Sequence, residues 1–532
     1  MQGNVDANPR YARFCGILRS PCRKSGGRTA PRAVPRAQQA KTFGNPAVPA
    51  RHAPCVAFGQ MSTAPAAPDL DALIRRYDRP GPRYTSYPTA PQFTGAFGES
   101  VLRDYAMRSN AGAAARPLSL YLHIPYCESP CFYCGCNRLI TRDREKGTRY
   151  LQSLQREIVL AAPLFERHRE VVQLHLGGGT PNFLPPEEIA ALIATLRGEL
   201  NLSEAAGRDF SIELDPRFIA GGDIEHLARL GFNRASFGVQ DFAPEVQQAI
   251  NRVQSIEQTL AAIAACRKNQ FRSVNVDLIY GLPRQTLQGF ANTIDTLLGV
   301  RPDRFAIYGY AHMPHLFKAQ RQIDAKALPD GEAKLQLLGL AIQKLAAAGY
   351  RYIGMDHFAL PEDDLSTAQD SGGLHRNFMG YTTNADCDLL GLGMSAISHI
   401  GRSFSQNFRD LRDWEAAVDQ GHLPVWRGLE LSFDDVVRAD VIQQLMCLGQ
   451  IDIGAMERRH SIDFLGYFTD ALNRLQPLIA DGLVTAVGSF ISVTPRGRLL
   501  MRAVAMCFDR YLSAPVSAPT AAAEQPRFSK VV

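Results

Sequence analysis

The pattern of apolar and polar positions changes period repeatedly from about residue 118 onward. Six short apolar runs with strand-like spacing lie at 118–125, 171–180, 209–216, 234–242, 273–283 and 304–312. Between them apolar residues recur at helical spacing, as in "RYLQSLQREIVLAAPLF" and "SIEQTLAAIAACRKN". Six strand–helix repeats predict an α/β fold with a parallel sheet and right-handed crossovers, closed or partly open as a (β/α)6 barrel.

The residues that interrupt this pattern lie in one place on each repeat. A cysteine-rich loop follows the first strand, and the ends of the next five carry "GGGTP", "ELDP", "GVQDF", "DLIYGLP" and "YAHMP". In TIM-like barrels the chemistry lies at the carboxyl ends of the strands, where such residues meet. The spacing therefore predicts one site at this end of a partial TIM-like barrel.

A second unit is expected from about residue 430, where the order helix, helix, hairpin, helix resembles a winged helix. DNA binding by this unit is an alternative, but it lacks a clear basic stripe, so a cap packed on the barrel is favoured. The predicted division is an extension at 1–60, an arm at 61–117, the barrel at 118–360, a connecting region at 361–429 that completes the site, a mostly helical cap at 430–514 and a disordered tail at 515–532.

Charge is distributed unevenly along the 532 residues. Residues 1–60 hold ten Arg or Lys and one acid, whereas the rest holds 48 basic and 51 acidic side chains, which gives no argument for nucleic-acid binding. The basic segment fits a disordered extension or a mis-assigned start before Met61, a transit peptide, or a folded segment. No apolar run is long enough to span a membrane, and we expect a cytoplasmic protein.

The loop "YLHIPYCESPCFYCGCN" (121–137) carries Cys127, Cys131, Cys134 and Cys136. This C-x3-C-x2-C-x-C spacing matches neither the usual paired zinc ligands nor a ferredoxin run. Three thiolates on a compact loop can hold three irons of a [4Fe–4S] cluster and leave the fourth iron open. Buried core thiols and a zinc site are the alternatives.

Cys127, Cys131 and Cys134, with the aromatic Tyr133 before the third cysteine, resemble the signature of the radical S-adenosylmethionine (SAM) enzymes. "GGGTP" one strand later is similar to the second motif of that family. Its glycines let the backbone approach a small zwitterion closely. The resemblance implies a [4Fe–4S] cluster on the three cysteines and SAM as cofactor, within a radical SAM barrel.

The resemblance extends over about residues 78–512. "RYTSYPTA", "SIELDP", "GVQDF", "NVDLIYGLP", "IGMDHFA" and "GLGMSAIS" together resemble the oxygen-independent coproporphyrinogen III oxidases of haem biosynthesis. Haem chaperones of the same subfamily are the alternative, as binding proteins rather than enzymes. They usually lack the fourth cysteine, so Cys136 and the "RYTSYPTA" arm favour the oxidases.

The family implies roles for further residues. Tyr121 and Gly178 would contact the cluster-bound SAM, Glu213 would hold its ribose hydroxyls, and Ile397 would pack on its adenine. A second SAM would be held by Tyr133, Gly179, Thr180, Gln240, Arg252, Asp277 and Ala311. Arg252 can pair with a carboxylate. Cys136 has no derived ligand role and is either structural or an assistant in the radical chemistry.

The reaction that the resemblance implies is oxidative decarboxylation of two propionates of coproporphyrinogen III to vinyl groups, which gives protoporphyrinogen IX. A low-potential donor such as a flavodoxin or ferredoxin would supply electrons, and the protein would act as a monomer. The substrate has four carboxylates, for which Arg138, Arg217, Lys318 and Arg321 are candidates.

Overall fold

A computed structural model describes residues 70–111, 115–512 and 528–531 of the chain. Residues 1–60, predicted to be a disordered extension or a mis-assigned start, with a transit peptide or a folded segment as alternatives, lie outside these ranges. The first nine strands in chain order are β1 Leu118–Ile124, β2 Tyr126–Cys127, β3 Leu139–Ile140, β4 Glu170–Gly178, β5 Asn201–Leu202, β6 Asp209–Leu214, β7 Arg234–Gln240, β8 Ser273–Tyr280 and β9 Arg304–Gly309.

Six of these strands form the predicted barrel sheet. Strands β1, β4, β6, β7, β8 and β9 are neighbours in that order, and every adjacent pair is parallel. Helices follow these strands at Arg144–Ala161, Pro186–Glu199, Asp223–Leu230, Pro244–Ala249 with Ile256–Lys268, Leu287–Leu298 and Gly331–Ala347. The partial (β/α)6 barrel is confirmed.

Strand alternation explains the polar interior of the barrel. On β1 the side chains of Leu118, Leu120, Leu122 and Ile124 are fully buried and belong to the main apolar core. Because successive side chains of a strand point to opposite faces, the polar residues between them, such as Tyr121, face the other way. The same alternation on the neighbouring strands concentrates polar groups inside the barrel.

The connecting region extends the sheet at both edges. At one edge β14 Asp388–Leu392 pairs parallel with β1 and is followed by the antiparallel β15 Ile397–Ile400, β16 Ser403–Asn407 and β17 Val425–Glu430. At the other edge β11 His357–Ala359 and β10 Arg351–Gly354 pair antiparallel beyond β9. A hairpin of β12 His375–Asn377 and β13 Gly380–Thr382, and helices Asp364–Ser371 and Leu411–Asp419, complete this region.

The C-terminal unit has the strand and helix order of a winged helix. Its elements are helix Phe433–Leu448, β18 Gln450–Asp452, helices Ile453–His460, Phe464–Tyr467 and Thr469–Ala480, strands β19 Val484–Val487 and β20 Phe490–Val493, and helix Met501–Met506. Helices Phe464–Tyr467 and Thr469–Ala480 are divided at Phe468, whose backbone is not helical. Tyr381 on the barrel-side hairpin donates to the Met446 carbonyl at 2.8 Å, so the unit packs against that hairpin.

The N-terminal arm and the last described residues both join this second unit. Leu73, Ile74 and Tyr77 of helix Leu70–Tyr77 lie in its core, whereas helix Glu99–Ser109 packs on β15 and β16 of the connecting region. The tail was predicted to be disordered from 515 to 532. Residues 528–531 differ from that expectation because the buried Arg502 donates to the carbonyls of Ser529, Lys530 and Val531. Residues 513–527 lie outside the described ranges.

Among the residues that the structure describes, no helix combines the length and hydropathy that crossing a bilayer requires.

Candidate active site

The backbone of the cysteine loop is held by hydrogen bonds to residues 250–251 and to the side chain of Arg138. Phe132 N donates to the Ile250 carbonyl at 2.9 Å, and Asn251 Nδ2 donates to the Pro130 carbonyl at 2.7 Å. Arg138 donates from Nη2 to the Cys131 carbonyl at 2.9 Å and from Nη1 to that of Cys134 at 3.3 Å. A single guanidinium therefore fixes the turn that carries two of the candidate iron ligands.

The four thiols of the loop line one cavity of about 270 Å³ at the carboxyl ends of the strands. Cys127 Sγ lies 3.3 Å from Thr180 Oγ1, and Arg252 Nη1 lies 3.5 Å from Cys131 Sγ. The thiol of Cys136, helped by the charge of Arg138, lowers the pKa of Cys134 to about 6, while burial raises that of Cys127 to about 11. Thiolates are the metal-binding form of cysteine, and the basic groups beside this loop favour them.

The glycine motif brings the backbone of β4 against the cysteine loop. Gly178 has φ +118°, and a Cβ on it would lie 2.7 Å from the His123 ring. A Cβ on Gly179 would lie 2.6 Å from the Pro125 carbonyl oxygen. The Gly179 N–H donates to the carbonyl of the preceding residue, Ile124, at 2.8 Å. Only glycine fits this approach, which explains the motif at this position.

Glu213 lies on β6 beneath the glycine motif. Its Oε2 accepts from Gly178 N at 3.2 Å, and its Oε1 lies 3.2 Å from His175 Nε2. Burial alone would raise the pKa of Glu213, but the hydrogen bond and charge of His175 and the Gly178 N–H hold it below its usual value. Glu213 is therefore an ionised acceptor on the cavity wall.

Asp277 lies on β8, which is separated from the strand of Glu213 by β7 alone. Ser236 Oγ donates to its Oδ2 at 3.0 Å and Asn275 Nδ2 to its Oδ1 at 2.9 Å. Burial and the nearby charge of Glu213 raise the pKa of Asp277 to about 6. The two carboxylates make the strand side of the cavity acidic, which suits the ammonium and sulfonium groups of SAM.

Arg252 supplies a cation to the same cavity. Its Nη1 pairs with Asp215 Oδ2 at 3.0 Å and its Nη2 donates to the Gly238 carbonyl at 2.7 Å, while its buried Nε has no partner among the described residues. A buried unpaired donor is costly, and a bound carboxylate would satisfy it. This orphaned donor, the glycine cradle and the grouped thiols fit a cluster with SAM.

The structure brings together most of the residues selected from the sequence. Twelve of the fifteen catalytic, cofactor and cluster candidates line the cavity, as do Arg138 and Arg217; the twelve are Cys127, Cys131, Tyr133, Cys134, Cys136, Gly178, Gly179, Thr180, Glu213, Gln240, Arg252 and Asp277. Three do not. Tyr121 lies on β1, with its hydroxyl 3.0 Å from His123 Nδ1, Ile397 begins β15, and Ala311 lines a neighbouring cavity.

Sequence reasoning missed other lining residues, among them Asp215, Ser236, Gly238 and Tyr308. Two of these, Asp215 and Gly238, lie two positions from a selected residue on the same strand or its end. Because side chains alternate across a strand, the i±2 neighbours of Glu213 and Gln240 share their face. That period-two rule was the signal available in the sequence.

Comparison with known proteins agrees with these features. Residues 121–297 match the family model of the radical SAM superfamily, and residues 431–500 match that of the HemN C-terminal domain. The oxygen-independent coproporphyrinogen III oxidase of Pseudomonas aeruginosa is 48% identical over 460 residues, covering 86% of this chain and 98% of that protein. The Escherichia coli protein of the same name is 46% identical over 83% of this chain and 95% of its own length.

A solved structure extends the agreement to the fold. The coproporphyrinogen III oxidase of E. coli, described as a radical SAM enzyme, superposes with a TM-score of 0.78 over 83% of this chain and 98% of its own, at 46% identity. With the cysteine loop, the glycine motif and the C-terminal unit all in place, this chain belongs to the oxygen-independent coproporphyrinogen III oxidase family of the radical SAM superfamily.

Proposed function

We propose that this protein converts coproporphyrinogen III to protoporphyrinogen IX by oxidative decarboxylation of two propionate side chains. The observation that carries the proposal is that Cys127, Cys131 and Cys134 line one cavity with the glycine motif, Glu213 and Arg252. The relatives named as oxygen-independent coproporphyrinogen III oxidases, 40–48% identical over more than four-fifths of the chain, support the substrate.

The three loop cysteines would hold a [4Fe–4S] cluster, and SAM would lie in the cavity beside it. When bound, these groups supply a one-electron reductive cleavage of SAM that yields methionine and a 5′-deoxyadenosyl radical able to take hydrogen from an unactivated carbon. Removal of a hydrogen atom from the β-carbon of a propionate, followed by loss of CO2 and one electron, leaves a vinyl group.

The contribution of this chain's own residues is binding and orientation. Glu213, ionised and fixed by Gly178 N–H, would accept hydrogen bonds from the ribose hydroxyls of SAM. Tyr121 would contact the same SAM and Ile397 would pack on its adenine. Arg252 would pair with a carboxylate through its free Nε, and Asp277 and Gln240 would hold an ammonium or hydroxyl group. The barrel walls keep water from the radical.

Two SAM molecules are part of the proposal, because Glu213, Asp277 and the unpaired donor of Arg252 together provide more polar contacts than one amino-acid group uses. Tyr133, Gly179, Thr180 and Ala311 complete the proposed second site. We further propose a flavodoxin- or ferredoxin-like electron donor, a monomeric enzyme and a cytoplasmic location.

The test is anaerobic turnover of the reconstituted protein with SAM, reductant and coproporphyrinogen III, followed by oxidation and separation of the porphyrins. We expect protoporphyrin together with 5′-deoxyadenosine, and loss of both in Cys131→Ser but not in Cys387→Ser, a half-buried thiol outside the loop. Haem binding without porphyrinogen turnover, in protein with full iron content and SAM binding, would instead assign the chain to the haem chaperones.

A further inference from the structure

A second cavity, of about 280 Å³, lies beside the cysteine-lined one at the carboxyl end of the barrel. Several parts of the chain form its walls, among them helix Gly331–Ala347 with Lys334 and the β10–β11 turn with Asp356. The ends of β8 and β9 contribute one side with Tyr280 and Gly309–Met313, and the arm contributes Arg83. The C-terminal unit contributes Arg498, Leu499, Met501 and Arg502, and residues 528–531 line a further side.

The two cavities differ in charge. The second cavity is lined by five cations and one carboxylate, Asp356; the cations are Arg83, Lys334, Arg498, Arg502 and Lys530. The cysteine-lined cavity has three arginines against four carboxylates, in addition to its thiols. SAM carries two cationic groups, so the acidic chamber suits it. The basic chamber instead suits a ligand with several carboxylates.

Arg83 lies at the wall that separates the two chambers. It forms an ion pair with Asp356, and its guanidinium carbon lies 5.5 Å from the centre of the Tyr308 ring, which lines the cysteine-lined cavity. The buried Arg376 adds a second cation here, and its Nη1 has no hydrogen-bond partner among the described residues. One carboxylate therefore faces two arginines, which leaves positive charge uncompensated at this wall.

Two further cations of the second cavity are available to a ligand. The side chain of Arg498 forms no hydrogen bond or ion pair within the described ranges of the chain, and the residue is half-buried. Lys334 donates from Nζ to the Tyr310 carbonyl at 2.8 Å and forms no direct ion pair with a carboxylate of the described residues, although the charge of Asp78 acts on it at longer range. An ammonium has three donors, so two remain. Both side chains can pair with an incoming carboxylate at little structural cost.

We propose that this basic cavity is a carboxylate subsite for the tetrapyrrole substrate, in which Arg498 and Lys334 pair with propionates that are not reacting. The inference rests on the proposed function and deepens it. The volume holds propionate arms rather than a whole macrocycle, since sites for drug-sized ligands span about 300–1,000 Å³. The reacting propionate would then enter the cysteine-lined cavity past Arg83 and Tyr308.

The cations selected from the sequence for this role are placed differently. Arg138 is bonded to the cysteine loop, and Arg217 pairs with Asp215. Arg321 donates to the Pro314 carbonyl. Neither these three nor Lys318 lines the basic cavity. The residues that do line it are far apart in sequence, so only the fold brings them together.

The experiment compares Arg498→Gln and Lys334→Gln with Arg458→Gln, in the cluster-reconstituted full-length protein under anaerobic conditions. Arg458 is an exposed arginine of the same C-terminal unit that does not line the cavity. We expect both cavity variants to raise KM for coproporphyrinogen III about tenfold or more, the scale of one lost charge-assisted hydrogen bond, with kcat within about twofold. Iron content and SAM affinity should match the unchanged protein.

A second readout is independent of turnover. Coproporphyrin III, the fluorescent oxidised form, should bind the two cavity variants about tenfold more weakly than the unchanged and Arg458→Gln proteins. Equal affinity and KM in all four proteins would overturn the subsite and leave the proposed function standing. An equal loss of coproporphyrin III affinity in all three variants would also overturn the subsite, because it would show an effect of the protein's overall charge. If the unchanged protein binds SAM but gives no protoporphyrin, the proposed function fails. The coproporphyrin III affinities of the variants still show whether the basic cavity binds carboxylates.

Discussion

Arg252 and Asp215 form a buried ion pair beneath the cysteine loop, with Nη1 and Oδ2 3.0 Å apart. Asp215 also accepts from Arg217, at 2.7 Å between Nη2 and Oδ2. Burial would raise the pKa of Asp215, but the two arginines hold it below its usual value. One carboxylate therefore orients two guanidinium groups, and Arg252 keeps its unpaired Nε for a ligand.

Arg252→Gln should lower the number of SAM molecules bound per protein from two to one. The reason is that Arg252 is the cation assigned to the second SAM, whereas Asp215 stays neutralised by Arg217 and the fold is kept. Equilibrium dialysis of the reconstituted protein with labelled SAM measures the stoichiometry. Arg217→Gln is the matched control, since it removes the other partner of Asp215 and should leave the number unchanged. An unaltered stoichiometry in Arg252→Gln would refute the assignment.

Gly179→Ala should both destabilise the protein and prevent cluster assembly. The added Cβ would lie 2.6 Å from the Pro125 carbonyl oxygen and 2.8 Å from that of Tyr126, so the cysteine loop must shift. We expect the free energy of unfolding to fall by about 1–3 kcal/mol, as for other overpacked positions, and the iron content after reconstitution to drop. Urea unfolding and iron analysis measure the two effects.

Gly198→Ala is the control for that change. Gly198 is exposed in helix Pro186–Glu199, and a Cβ there meets no atom within 4 Å. Because alanine favours helix more than glycine does, the variant should gain roughly 0.5–1 kcal/mol and keep its iron. Equal stability and equal iron content in Gly179→Ala and Gly198→Ala would show that the close approach of Gly179 to the cysteine loop affects neither property.

Much of the barrel could be predicted because its signals are local. Each of the six strands alternates over a few residues, and the unusual residues follow at the strand ends. Strand β14 was not predicted as part of the sheet, since "DLLGL" is buried on both faces and shows no alternation. Its pairing with β1 joins residues some 270 positions apart in the chain, such as Tyr121 and Gly391, which no local pattern encodes.

The residues of the two cavities likewise fall into those recognisable from local sequence and those brought together only by the fold. The cysteines and glycines were recognisable as motifs, and Glu213 lies within one. Arg83, Lys334 and Arg498 belong to the arm, the last barrel helix and the C-terminal unit, and ordinary surface cations look the same in sequence. Their common cavity exists only once the arm and the tail pack against the C-terminal unit. The ordered end of the tail depends likewise on one buried side chain, Arg502.

Stability should depend on pH through Glu157, which lies buried on helix Arg144–Ala161. It accepts hydrogen bonds from Gly393 N at 2.8 Å, Trp414 Nε1 at 3.0 Å and Asn407 Nδ2 at 2.6 Å. These donors lower the pKa of Glu157, but the opposing effect of burial is larger and raises it to about 7. The folded protein thus keeps a proton that the unfolded chain has released.

The unfolding free energy should therefore fall as pH rises from about 4.5 to 7 and then level off, by roughly 3 kcal/mol from this group. Glu157→Gln should lack this contribution, because the amide does not titrate. Urea unfolding at several pH values measures the slope. Glu187→Gln, at an exposed position, should retain it. A slope in Glu157→Gln equal to that of the unchanged protein would show that Glu157 is ionised throughout this range.

Arg502→Gln should release both the arm and the end of the tail. Arg502 is 4% exposed and donates to five backbone carbonyls, those of Gly81, Pro82, Ser529, Lys530 and Val531. A glutamine is shorter and has two donors, so most of these carbonyls lose their partner inside the protein. We expect a loss of about 3 kcal/mol or more in the free energy of unfolding.

The arm around residues 80–87 and the tail at 528–531 should be destabilised more than the rest of the protein. These two segments meet mainly through Arg502, the hydrogen bond from Gly81 N–H to the Ser529 carbonyl and the Pro80–Lys530 bridge. Hydrogen exchange should therefore accelerate in residues 80–87 and 528–531 more than in the barrel strands. Arg459→Gln, which removes an exposed ion pair with Asp440, should leave both segments protected. Uniform acceleration across the whole chain would mean that Arg502 supports the C-terminal unit as a whole rather than fastening these two segments.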